Sequence, residues 1–287
     1  MKIRVAKNIG FCSGVNRAIN LVENELKKGN KVYILGELLH NKQEMDRLQR
    51  LGIEVVEDVS IINTNFRCSL VIRTHGVARS VYEELLRLNN INIIDGTCPI
   101  VKRNQEITKE WTNKGYNVII YGDPQHPEIT ALISYVSPSV KSYIITCKED
   151  AENLDILEHD KILVISQTTK QVDEYKKICD LLTTKYKNIK VFNTICKETI
   201  NREKEVVEIA KTVDLLIVVG GKHSANTNKL MTISKNYNNN VIIVSSEDEI
   251  ENDFFNYRHI GIISGTSTPM WQVKKIIEKF STVECKT

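Results

Sequence analysis

The chain has 287 residues, 26% of them charged, and a formal net charge of +3. Lysine and arginine alternate with acids along helix faces instead of gathering in a stripe, which argues against nucleic acid as a main partner. No apolar run approaches bilayer-spanning length, and Met1-Lys2-Ile3-Arg4 leads into a strand with no apolar signal core, so a cytoplasmic protein off the membrane is expected.

In chain order, Val5-Ala6-Lys7-Asn8-Ile9-Gly10-Phe11-Cys12 reads as an apolar strand running into a cysteine. Val15, Ala18, Ile19, Val22 and Leu26 then follow at the i, i+3, i+4, i+7 spacing of an amphipathic helix. A second strand over 32–35 ends at Gly36, and His40 follows. A third strand over 53–56 precedes Glu57-Asp58, and a fourth runs into Arg73-Thr74-His75-Gly76.

This order recurs twice. Ile94-Asp95-Gly96-Thr97-Cys98 leads through Pro99 into a helix, and strand 118–121 ends at Gly122, before His126. Strand 143–145 is followed by Lys148-Glu149-Asp150, and strand 163–166 by Gln167-Thr168-Thr169. The third copy has Val191-Phe192-Asn193-Thr194-Ile195-Cys196, strand 215–219, Gly220, His223, strand 241–244, and Ser264-Gly265-Thr266-Ser267 before the helix of Val273, Ile276, Ile277 and Phe280. Gly36, Gly122 and Gly220 each stand 24 residues after their cysteine, the mark of an internal repeat. The strands are short, apolar at nearly every position and separated by helices, as in parallel sheets covered on both faces. The expected fold is therefore α/β, with three small repeats at 1–97, 98–195 and 196–281, a tail at 282–287, and parallel sheets packed about a pseudo-threefold axis around a central cavity.

Function should lie on the strand-to-helix loops, because ligands of parallel sheets bind beyond the carboxyl ends of the strands, where helix N-termini offer free N–H groups. Seven cysteines without an export signal favour reduced thiols over disulfides, and no pair has C-x2-C spacing. A lone cysteine is usually a small core residue, and Cys68, Cys147, Cys179 and Cys285 are read that way. Cys12, Cys98 and Cys196 share one position in the repeat and are read as metal ligands, their thiol pKa expected to be lowered at helix N-termini. Three thiolates leave one iron of a [4Fe–4S] cluster open; a three-thiolate zinc with water is the competing reading. Neighbouring loops supply His40, His75, His126, Glu128, Gln167, Thr168, Thr169, His223, Ser224, Asn226, Thr266 and Ser267, a donor-rich set suited to a phosphate or diphosphate.

The segments Gly10-Phe11-Cys12-Ser13-Gly14-Val15, Leu39-His40-Asn41, Thr74-His75-Gly76-Val77, Asp95-Gly96-Thr97-Cys98-Pro99, His126-Pro127-Glu128, Gln167-Thr168-Thr169, Asn193-Thr194-Ile195-Cys196 and Asn201-Arg202 carry a resemblance. From about residue 3 to about 280 the chain resembles the 4-hydroxy-3-methylbut-2-enyl diphosphate reductase family. The resemblance implies a trefoil of α/β domains around one [4Fe–4S] cluster. It also implies two-electron reductive dehydration of the (E)-allylic alcohol diphosphate to isopentenyl and dimethylallyl diphosphates, the last step of the methylerythritol phosphate route to isoprenoids. Ferredoxin or flavodoxin would supply the electrons. Cys12, Cys98 and Cys196 match the cluster ligands; His40, His75, Ser224, Asn226 and Ser267 match the diphosphate cradle. His126 and Thr168 match residues at the alcohol end, and Glu128 matches the proton source. Where the family commonly has Asn-Ser-Ser-Asn this chain has His223-Ser224-Ala225-Asn226, which leaves a backbone N–H at Ala225, or His223, in place of one hydroxyl. The alternative is a three-cysteine cluster lyase of the quinolinate synthase type, against which the His-Pro-Glu and Gln-Thr-Thr segments stand.

Overall fold

The computed structural model describes residues 1–62 and 67–284, and Cys285 lies outside them. Strand and helix alternate throughout. The first repeat holds β1 (Lys2–Val5), α1 (Ser13–Lys27), β2 (Lys31–Leu35), α2 (Lys42–Arg50), β3 (Ile53–Val56), β4 (Cys68–Ile72) and α3 (Arg79–Leu85). Next come β5 (Ile91–Asp95), α4 (Pro99–Asn113), β6 (Asn117–Tyr121), α5 (Pro127–Ile133), β7 (Ser142–Ile145), α6 (Lys148–Glu152), β8 (Ile162–Ser166) and α7 (Val172–Lys185). Last come β9 (Ile189–Val191), α8 (Lys197–Ala210), β10 (Leu215–Val219), α9 (Ala225–Lys235), β11 (Val241–Val244), β12 (His259–Ser264) and α10 (Met270–Glu284). No helix among the described residues is long and apolar enough to cross a membrane.

The strands form three four-stranded sheets, ordered β3-β2-β4-β5, β7-β6-β8-β9 and β1-β12-β10-β11. Every registered pair is parallel. The strand that leads into each cysteine does not join the strands that follow that cysteine: β5 pairs with β4, β9 with β8, and β1 with β12. Each cysteine thus leaves a sheet edge beside the loop that follows the strand paired with that edge, β12 for Cys12, β4 for Cys98 and β8 for Cys196.

The chain divides into two compact units. Unit one comprises Met1–Asn20, Glu37–Glu54 and Lys197–Thr287; unit two comprises Leu21–Gly36 and Val55–Cys196. In unit one, Leu215, Ile217 and Val219 pack with Val273, Ile276 and Phe280 of α10. Leu216 and Val218, alternating with them, pack with Val206, Ile209 and Leu230 of α8 and α9. Period-two alternation therefore buries both faces of β10, as its continuous apolar sequence requires. In unit two, Val118, Ile120, Leu163 and Ile165 meet Ile129 and Leu132 of α5, and a second core gathers Leu35, Leu70, Ile72, Val77 and Leu85. Burying one such side chain fully is worth about 1.5–3 kcal/mol, so packing on both faces, more than strand propensity, holds these short strands.

Candidate active site

Local geometry around the three cysteines repeats. The N–H of Cys12 donates to the Thr266 carbonyl at 3.0 Å, that of Cys98 to Thr74 at 2.9 Å, and that of Cys196 to Thr168 at 2.9 Å. Each acceptor is the threonine in the loop after a fourth strand. The glycines repeat as well: Gly36, Gly122 and Gly220 donate to Val56, Ile145 and Val244 at 2.8, 2.9 and 3.0 Å. A helix starts just beyond each cysteine, and Pro99 occupies the first turn of α4, where a missing N–H leaves nothing unpaired. Gly96 permits the close approach before Cys98, since a Cβ there would run into the Ile72 carbonyl oxygen.

None of the three is in a disulfide, and all three are half-buried. The Cys12 sulfur accepts from the Val15 N–H at 3.4 Å. At Cys98 the depression expected from the helix N-terminus is outweighed. Burial pushes the thiol up, hydrogen bonds from the Ile100 and Val101 N–H groups offset part of this, and the neighbouring Cys196 and Glu128 push it up further. Thiol, thiol and carboxyl converging in a partly desolvated place disfavour anions, and a bound cation would invert that balance in favour of the thiolates. The donor set therefore fits a thiophilic metal group.

Unit two brings Glu128 and Thr168 together. Glu128 is buried; its Oε1 accepts from the Thr168 N–H at 2.8 Å and its Oε2 from the Thr168 hydroxyl at 2.7 Å. Burial raises its pKa to about 7 despite these two bonds, so both protonation states are populated near neutral pH. His126 caps α5 by accepting the Glu128 N–H on Nδ1 at 3.1 Å, and its ring meets His75 edge-on with centroids 5.2 Å apart.

Unit one carries Cys12, His40, Ser224, Ala225, Asn226 and Ser267. Thr227 lies against both Gly220 and Gly265, which brings the Ser224 and Ser267 loops together, and the His40 carbonyl lies against Gly221. Ser224 caps α9, accepting from the Thr227 N–H at 3.4 Å. Ala225 is the first residue of α9 and exposed, so its N–H belongs to the helix turn whose donors lack intrahelical acceptors; His223 is exposed as well. Asn226 is only 5% exposed, yet neither polar atom of its side chain has a hydrogen-bond partner. A buried amide left in that state costs stability and marks a place where a ligand completes the bonds.

Arg202, Glu198 and Glu205, which the repeat pattern does not single out, grip the Cys12 loop from α8. Two signals in the sequence point to Arg202: its place in the Asn201-Arg202 segment, and an arginine on the buried stripe of α8. Asn41, in the Leu39-His40-Asn41 segment, caps α2 and donates to Gln272 at 2.9 Å, fixing the loop that carries His40.

A family model described as LytB protein matches residues 3–281. The 4-hydroxy-3-methylbut-2-enyl diphosphate reductase of Campylobacter hominis is 38% identical over 285 residues, covering 99% of this chain and 100% of the relative. That of Nautilia profundicola is 38% identical over 281 residues, covering 97% and 98%. A solved (E)-4-hydroxy-3-methyl-but-2-enyl diphosphate reductase, described as the terminal enzyme of the non-mevalonate pathway, is 33% identical with a TM-score of 0.75, over 98% of this chain and 100% of that one. The E-1-hydroxy-2-methyl-but-2-enyl-4-diphosphate reductase from Plasmodium falciparum is 26% identical with a TM-score of 0.88, over 96% and 87%.

Proposed function

The chain belongs to the LytB protein family, and from that premise we propose that it is a 4-hydroxy-3-methylbut-2-enyl diphosphate reductase with Glu128 as its proton source. The observation that carries the reading of the site is the pairing of buried Glu128 with Thr168, in the unit that also holds Cys98 and Cys196. The family implies an iron–sulfur cofactor, read here as a [4Fe–4S] cluster on Cys12, Cys98 and Cys196 with one iron open. When bound, the cluster supplies electrons and a Lewis-acidic iron.

The chain's own residues do the rest. Reductive dehydration consumes two electrons and two protons and releases water, so a proton carrier must stand beside the leaving hydroxyl. Glu128 holds a proton near neutral pH, and the two bonds from Thr168 fix its carboxyl plane and stabilise the anion left after transfer. His40, His75, Ser224, Asn226 and Ser267, with the exposed N–H of Ala225, hold the diphosphate; helix N-termini favour its charge. His126 and Thr168 face the alcohol end. The repeats 1–97, 98–195 and 196–281, with the tail 282–287, are taken as the functional divisions, ferredoxin or flavodoxin as the electron donor, and the cytoplasm as the location.

Anaerobic purification tests the proposal. A brown protein with about four irons per chain that reduces the allylic alcohol diphosphate supports it. A colourless zinc protein without that turnover overturns it.

A further inference from the structure

We propose that Arg202 is a positioning residue that locks the Cys12 loop to the loop leading to Ser267; what the two loops hold rests on the function proposed above. Arg202 is 2% exposed. Its Nη2 donates to the Gly10 carbonyl at 2.7 Å and its Nη1 to the Ser264 carbonyl at 2.8 Å, with a longer contact to the Gly265 carbonyl at 3.5 Å. Gly10 stands two residues before Cys12, and Gly265 two before Ser267. A planar fork with donors at fixed angles can serve carbonyls of two segments at once, which a single ammonium cannot.

The same helix holds this loop at further points. Glu205 accepts the N–H groups of Lys7 and Asn8 at 2.5 and 2.8 Å, and Glu198 accepts that of Ser13 at 3.0 and 3.2 Å. The two loops also bond directly, Gly10 N–H to the Ser264 hydroxyl at 2.9 Å and Cys12 N–H to the Thr266 carbonyl. Gly10 sits at φ +85°, with Met270 where a Cβ would go, so the loop cannot relax by exchanging that residue. Six residues after the other two cysteines of the repeat pattern stand Ala18 and Asn104, neither of which can form such a fork. The arrangement therefore sets the Cys12 loop and the loop leading to Ser267 in one frame.

The test is residue-resolved alkylation of the full-length, cluster-free chain by iodoacetamide, read by peptide mass spectrometry for Arg202→Lys and Glu205→Gln. In Arg202→Lys, Cys12 should react about tenfold faster, the factor by which losing one charge-assisted hydrogen bond shifts a local opening equilibrium, while Cys98 and Cys196 stay within about twofold. Glu205→Gln changes a half-buried side chain of α8 and keeps its size, so it serves should Arg202→Lys not fold. It should raise Cys12 reactivity selectively by about threefold, since one charge-assisted acceptor becomes neutral. An unchanged Cys12, or an equal rise at all three cysteines, in a folded variant overturns the proposal. Thiol reactivity is read without cluster or substrate, so failure of the reductase reading and failure of this one are separately visible.

Discussion

The Glu128 carboxyl receives both donors of one residue, the N–H and the hydroxyl of Thr168, at 2.8 and 2.7 Å. Replacing it by glutamine preserves size and most hydrogen bonding but removes the transferable proton. Glu128→Gln should keep its iron and its affinity for the diphosphate while turnover falls about 10²–10⁴-fold, the usual worth of a general acid. Single-turnover kinetics on iron-replete protein decide this; near wild-type rates would return Glu128 to a helix-start role.

The same carboxyl gives a pH signature to the cluster-free chain. Its pKa is raised from 4.5 to about 7 by burial, so the folded state binds this proton more tightly than the unfolded one. The stabilisation is full below about pH 4.5, where both states are protonated, and is lost as pH rises through about 7, by at most about 3 kcal/mol. Glu128→Gln should therefore gain melting temperature relative to wild type between about pH 5 and pH 8. Parallel pH profiles for the two chains would contradict the assignment of a raised pKa.

Cys98→Ser should strip most of the iron, because a neutral hydroxyl does not replace a thiolate at iron. Cys179→Ser should keep it, since that thiol lies on α7 with its pKa pushed by burial up to about 11. Iron and sulfide analysis of both proteins settles the ligand assignment, and the opposite pattern would refute it.

Asn226→Leu separates stability from function. The wild-type amide is buried with both polar atoms unsatisfied, so an apolar residue of similar shape should leave the ligand-free chain as stable or more stable, by up to about 1 kcal/mol. The KM for the diphosphate should nonetheless rise about tenfold, as expected when a buried polar contact to a ligand is lost. Thermal melts and steady-state kinetics on one preparation test both halves; an unchanged KM removes Asn226 from the cradle.

Glu25 predicts the acid limb. Its buried carboxylate accepts from Lys28, Ser69 and Asn30, and these bonds, Lys28 foremost, lower its pKa from 4.5 to about 2. Here the folded state holds the proton less tightly, so the stabilisation is present above about pH 4.5 and lost as pH falls toward 2. Lys28 is exposed, so screening reduces the effect to about 1–2 kcal/mol. Acid titration of Glu25→Gln against wild type should show that difference above pH 4.5 and its disappearance near pH 2.

The sequence by itself determined the elements and their repetition, because period-two and period-3.6 apolar patterns are local consequences of backbone geometry and survive without knowledge of neighbours. It also made Cys12, Cys98, Cys196 and Glu128 candidates, the cysteines by their shared place in the repeat and Glu128 by its strand-to-helix loop. Tertiary structure decided what depends on groups distant in the chain. Glu25 is buried where the helical stripe pointed to Leu26, because Ser69, 44 residues on, completes its hydrogen bonds. The Cys98 thiol is raised, not lowered, because burial and the nearby Cys196 and Glu128 outweigh the helix N-terminus. Strand β1 joins β12 across nearly the whole sequence, and Arg202 reaches Gly10 from 192 residues away. No local pattern encodes such a pairing, since its energy exists only once both segments have folded.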